Sequence, residues 1–268
     1  MATQTYSANF QEVRQAGASK GVSLSTTAAF TAIPLGTQYL SLLPNTFTTA
    51  VVARFLLNPW LTVFKTTDLL ATMGNLTDYS TAAQDSTTTT VLTLNSFDTI
   101  ANTNALLIGS HIPFGGASID VQNTNGTASV LTVKYWNGAW TDITATDNTA
   151  SAGATLAQDG TVTWTMPTDW TTGALATIQG GTPPNQGVFN EALYWTRWEV
   201  SAALDSSVTL NSLLPISRST AYAELPTGVA WNQGVKVGPG GVSTIQALTD
   251  AGTALLLVNC AVDGRFGT

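Results

Sequence analysis

The feature that most constrains this chain is a polar surface built almost without charge. Only 9% of its 268 residues are charged, against about 25% in an ordinary soluble domain. Threonine supplies the missing polarity, at about one residue in six, with Ser, Asn and Gln behind it. Threonine is β-branched and stiff at χ1, which suits the half-exposed faces of sheets and disfavours helix interiors. With 44% hydrophobic residues the chain can bury a sizeable core without disulfide or metal staples. An all-β protein is expected, as one large unit or two smaller domains.

A weakly charged surface repels its own copies weakly, a state suited to a surface covered by neighbours, so assembly is expected. The net charge of -7 and nine scattered Lys and Arg residues argue against a nucleic-acid partner, since phosphate binding needs clustered cations. Cys260 is the only cysteine and sits in the apolar run "TALLLVNCAV", which reads as a core position with no disulfide framework. The start "MATQTYSANF" has no basic region followed by an apolar one, and no stretch reaches the roughly 20 apolar residues of a membrane helix. A protein made soluble in a cytoplasm, with no membrane partner, is therefore expected. The sequons at Asn75 and Asn125 then read as turns.

Along the chain, residues 1–24 are polar and poor in strand signals, with Phe10 and Val13 on one side of a single helical turn after Ser7; they read as an arm. In 25–90, Pro34, Pro44 and Pro59 cut the apolar pieces too short for long helices, so strands joined by turns are expected. The polar stretch "GNLTDYSTAAQDSTTTT" reads as a connection and a domain boundary near residue 90. The segment 91–216 carries the sharpest alternation, with Leu131, Val133 and Tyr135 on one face and Thr132, Lys134 and Trp136 on the other. Asn137-Gly138 predicts a two-residue type I′ hairpin, and Asp159-Gly160 repeats the signal. "LYWTRWEVSA" and "SVTLNSLLPI" read as an adjacent strand pair around Asp205-Ser206. The last segment, 217–268, is expected to add further strands against the rest. The expected fold is an antiparallel β-sandwich, jelly-roll-like over 91–216, with an extended N-terminal arm, additional β segments and no strict internal repeat.

Within this region the residues "VKYWNGAWTDI", "GATLAQDGTVTWTMPTDW" and "LYWTRWEVSAALDSSVTL" form a recognisable series. Tyr135 and Trp136, Gly138, Trp140, Asp159-Gly160, Trp164, Pro167, Asp169-Trp170, and Tyr194, Trp195 and Arg197 make it up. The series resembles a module of tailed-bacteriophage virion proteins, found in capsid decoration (cement) proteins and in tail or baseplate attachments. The resemblance covers about residues 95–212, near half the chain, and implies a β-sandwich that joins larger assemblies.

Chemistry has few footholds. The only histidine, His111, would have to carry any Ser-His-Asp triad, and no G-x-S-x-G elbow is present. One His and one Cys far apart cannot make a tetrahedral zinc set, and Asp142 and Asp147 in "DITATDNTA" read as Asx turns before they read as a calcium loop. Glu191 and Glu199 are the nearest approach to a glycosidase pair. No catalytic residue, metal or cofactor is expected. Trp164 alternates with Val162 and Met166 and so faces a core, whereas Trp136, Trp140 and Trp170 are candidates for an aromatic contact or a glycan surface.

The resemblance and the composition together predict a non-enzymatic decoration protein on the outer surface of a phage capsid, made in the bacterial cytoplasm. Its expected partners are the major capsid protein and copies of itself as a homotrimer, with Tyr6, Phe10, Val13 and Arg14 anchoring the arm on them. The alternative is a tail fibre or baseplate component that binds a host surface glycan.

Overall fold

The computed structural model describes residues 21–49, 52–72, 75–85, 89–178, 191–217 and 221–262. They form an all-β protein of antiparallel sheets divided into two compact units. The first unit joins the two ends of the chain and the second comprises residues 61–218.

The first unit begins with β1 (Val22–Leu24), β2 (Ala29–Ala32), β3 (Thr37–Asn45) and β4 (Val52–Pro59). The second unit follows, with β5 (Thr62–Thr66), β6 (Leu76–Asp78), β7 (Leu92–Thr93), β8 (Ala105–Ser110), β9 (Phe114–Asn123) and β10 (Leu131–Trp136). It continues through β11 (Trp140–Asp142), β12 (Thr146–Asp147), β13 (Gly160–Thr163), β14 (Thr172–Ala174), β15 (Ala192–Val200) and β16 (Thr209–Ser217). The chain then returns to the first unit as β17 (Ala223–Pro226), β18 (Trp231–Gly234), β19 (Val242–Thr249) and β20 (Ala254–Val262).

The first unit's two four-stranded sheets run β1-β20-β3-β18 and β17-β4-β19-β2. Counted along this unit alone, the strands lie first-eighth-third-sixth and second-seventh-fourth-fifth, which is jelly-roll order. Alternation decides what each sheet turns inward. Leu40 and Leu42 of β3 and Ala254, Leu256, Val258 and Cys260 of β20 face Ala53 and Phe55 of β4 and Ile245 and Ala247 of β19 across one core. The apolar run of β20 is central in its sheet, paired with β1 on one side and β3 on the other.

The second unit repeats the plan without repeating the sequence. Its sheets run β11-β10-β15-β8-β5-β6 and β12-β13-β9-β16-β7, with β14 pairing β15. Taking β7, β8, β9, β10, β11, β13, β15 and β16 in turn gives the same jelly-roll order, to which β5, β6, β12 and β14 are additions. Its core gathers Val133, Ile108, Trp198, Phe114, Ile119, Val162 and Leu213, among others, from both sheets.

Four expectations are corrected. The boundary falls after Trp60, not near residue 90, because β5 pairs with β8 and the 79–85 turn is part of the second unit. In that turn the buried Gln84 accepts from the Leu61 N–H at 2.8 Å and donates to the Leu61 carbonyl at 2.7 Å. Residues 25–60 and 217–268 are therefore not separate additions, since the described parts of 21–60 and 221–262 complete one sandwich. Strands β15 and β16 are not a hairpin; they lie in opposite sheets, and the segment between them crosses from one to the other. Asp159-Gly160 is not a tight turn either. β12 and β13 are joined through a long loop, and residue 160 is glycine because a Cβ there would press into the backbone oxygen of Asn148.

Candidate functional site

The aromatic series lies wholly in the second unit, and the pleat splits it between two faces. Tyr135, Trp164, Trp170 and Tyr194 turn inward. There Trp170 meets Phe114 at 5.5 Å, Tyr135 at 6.2 Å and Tyr194 at 5.8 Å between ring centroids, while Trp164 meets Trp198 edge-on at 6.3 Å. A buried tryptophan removes about 150–250 Å² from water, a gross gain of about 4–6 kcal/mol. Trp164 also donates its indole N–H to the Phe114 carbonyl at 3.0 Å. Trp170 is 7% exposed, which removes it from the candidate glycan surface: its ring faces are spent on the core.

Asp169, its neighbour, fastens the hairpin β10–β11. Its carboxylate accepts from the Tyr135 hydroxyl at 2.9 Å and from Asn137 Nδ2 at 2.8 Å. The hairpin expected at Asn137-Gly138 forms, but with Trp136 opposite Trp140 the loop holds the three residues Asn137, Gly138 and Ala139. Only Gly138 takes positive φ, at 106°. The Asn137 and Tyr135 donors hold the Asp169 carboxyl below the usual carboxylate range.

Trp136, Trp140, Trp195 and Arg197 point to the outer face of the larger sheet. Sequence alternation predicts a mostly polar face there, yet part of it is roofed. The helical turn Leu175–Ile178 lays Leu175 and Ile178 over Trp195, Phe64, Leu107 and Leu193, with Trp136 and Trp140 half-buried at the margin. Trp136 and Trp140 meet edge to face at 5.5 Å, and the Arg197 guanidinium sits 4.8 Å above the Trp140 ring. Arg197 Nε lies 2.6 Å from Glu199 Oε1, and Lys134 Nζ lies 3.1 Å from Oε2. One buried carboxylate is thus shared between two cations, which is how a buried charge is tolerated. One Trp140 face is capped by Arg197, so the pair is a braced margin more than an open platform.

Glu191 is placed elsewhere, beside His111 Nε2 at 3.0 Å. Glu199 lies eight steps further along the chain through near-extended β15, about 26 Å at 3.3 Å per residue. A glycosidase pair needs about 5–10 Å, so these two carboxylates do not work together. Asp142 accepts from the Thr144 N–H at 2.7 Å and Asp147 from the Thr149 N–H at 2.9 Å, the Asx turns expected of them. Asn75 donates to Asp68 at 3.1 Å. Asn125 is buried, with Nδ2 donating to the Thr127 and Thr155 carbonyls. Cys260 lies in the first unit's core, and burial pushes its thiol up to about 11. The arm residues Tyr6, Phe10, Val13 and Arg14 lie outside the described residues.

Sequence reasoning missed a groove in the first unit whose walls, residues 36–39 and 234–237, stand far apart in the chain. The exposed Leu35 and Tyr39 beside it are the one signal, and nothing in their spacing separates them from core positions. No protein-family model matches this chain, and no curated protein matches it by sequence.

Proposed function

We propose that this chain is a non-enzymatic structural protein of a tailed-phage virion, a decoration protein that binds the outer surface of the assembled capsid as a homotrimer. The observation that carries the reading is the fate of the aromatic series, the part that resembles virion modules. Its rings, acids and Arg197 are taken up by core packing, turn fastening and a shared ion pair, and Glu191 and Glu199 stand too far apart for concerted chemistry. Jelly rolls serve in capsids and in lectins alike, so the architecture suits the reading without choosing it. The poverty of charge favours lasting contact with other protein.

The mechanism is mass action. A protein that binds the assembled lattice and not free subunits stabilises the lattice by RT ln(1 + [L]/Kd) per site, and three linked contacts add avidity. The arm, through Tyr6, Phe10, Val13 and Arg14, orders on the major capsid protein or on a neighbouring copy. Native mass measurement and co-sedimentation with emptied capsids test this. A trimer that decorates shells, and loses them when residues 1–21 are removed, is expected; a monomer at micromolar concentration that leaves shells bare overturns the reading.

The tail-fibre alternative retains one observation in its favour, since Trp136 and Trp140 keep part of their surface open. It requires oligosaccharide binding by the isolated protein that Trp136→Ala abolishes.

A further inference from the structure

An asparagine followed by glycine is open to loss of its side-chain amide, because no Cβ on the glycine keeps its main-chain nitrogen from the asparagine Cγ. The chain has two such steps, Asn125-Gly126 and Asn137-Gly138. The fold treats them in opposite ways.

At the first step every participant is occupied. The Gly126 N–H, which would supply the nucleophile, donates to Asp205 Oδ2 at 2.7 Å. Asn125 is 2% exposed, and besides its two Nδ2 bonds its Oδ1 accepts from the Thr127 and Asp205 N–H groups, each at 3.1 Å. The side chain cannot turn towards Gly126 while the unit is folded.

At the second step, on the tip of the β10–β11 hairpin, the nucleophile is open. Gly138 is exposed, a Cβ built on it would meet nothing within 4 Å, and its N–H finds no acceptor among the described residues. The Asn137 amide is tethered, with Nδ2 donating to Asp169 and to the Tyr135 hydroxyl at 3.2 Å and Oδ1 accepting from Thr141 Oγ1 at 3.1 Å. These bonds brake the reaction without forbidding it, since Asn137 is half-buried, Asp169 is exposed, and loop tips open most easily.

We propose that Asn137 is a deamidation site, converted with water as the only co-reactant, and that the fold preserves Asn125. The Gly138 nitrogen gives up its proton and bonds to Asn137 Cγ; the Cγ–Nδ2 bond breaks, and ammonia leaves with that proton. Water then opens the five-membered imide at either carbonyl, giving aspartate or isoaspartate, with no change of oxidation state. Either product replaces the amide that donates to Asp169 with a carboxylate. Aspartate sets like charges at hydrogen-bond distance, and isoaspartate adds a main-chain methylene to the three-residue loop that places Trp136 opposite Trp140. The conversion therefore unfastens the hairpin beside the tryptophan margin, in one direction only. It is independent of whether the protein belongs to a capsid.

The test is peptide mapping by mass spectrometry of the full chain, aged in mildly alkaline heavy-oxygen water with and without denaturant. In denaturant both asparagines should convert. In the folded chain Asn137 should convert, taking up one heavy oxygen and becoming a substrate for isoaspartyl methyltransferase, while Asn125 stays intact. Asp169→Ala should speed conversion at 137 by about tenfold, the worth of one hydrogen bond to a charged group, and the intact Asn125 then certifies that the unit is still folded. Asn137→Asp should lower the melting temperature at neutral pH. Equal conversion of the two sites in the folded chain, or an Asn137 that outlasts the denatured control unchanged, overturns the proposal. An Asn137→Asp protein that melts with the parent overturns the unfastening.

Discussion

At the scale of the residue, the stabilising acids are those that fasten loops. Asp169 accepts from Asn137 and Tyr135, and Asp205 accepts from the Thr127 hydroxyl and the Gly126 N–H, so both carboxyls are held below their ordinary value of 3.8. A carboxyl with a lowered folded-state value contributes stability above its unfolded value and loses it as pH falls through the folded one. Melting temperature should therefore drop as pH falls below 3.8, and Asp169→Asn with Asp205→Asn should lower the neutral melting point and flatten that acid slope. Thermal scans by circular dichroism across pH check this. Cys260 works in the opposite sense. Burial raises its thiol from 9.0 to about 11, which favours the fold below 9.0 and withdraws that contribution as pH rises towards 11. At pH 8 a thiol reagent should leave the native protein unlabelled and modify it fully in denaturant. Individual inward positions, such as Trp164 and Tyr135, are legible in the sequence because alternation states them directly. Gly160 is not, because its requirement is set by the backbone of Asn148, which only the folded loop brings near.

At the scale of the element, the roofed outer face explains a glycine in the middle of a strand. Gly109 of β8 stands opposite Trp195 of β15, and a Cβ there would lie 2.6 Å from the indole ring. Gly109→Ala should cost about 1–3 kcal/mol by overpacking, measured by denaturant titration, and Trp195→Leu in the same chain should recover part of it. Leu175→Ala removes a fully buried side chain from the helical turn and should cost about 2–5 kcal/mol, with tryptophan emission shifting to the red as the cluster around Trp195 loosens. Period-two patterning identified strands such as β10 and β13, because one buried face imposes it, whereas β20 was legible as an unbroken apolar run. It could not identify partners. β15 and β16 are consecutive and equally strand-like, yet they sit in different sheets, a choice made by the whole core and not by the residues between them.

At the scale of the molecule, one jelly roll is inserted between the fourth and fifth strands of another. No sequence repeat betrays this, since the two cores are filled by different residues in the same order of strands. A fragment of residues 61–218 should fold cooperatively by itself, with a single melting transition and dispersed amide resonances. Residues 1–60 alone should not, for they hold four of the eight strands that close the first sandwich. The same arrangement governs how the chain is born. Strands β1 to β4 leave the ribosome before the rest, then wait for roughly 200 residues, about 10–40 s at 5–20 residues per second, before β17 to β20 exist to complete them. Through that interval the half-built sandwich presents apolar faces and open ladders to every nascent neighbour, so crowded synthesis favours exchange of halves between chains, and slower, cooler expression should raise the yield of correctly closed protein.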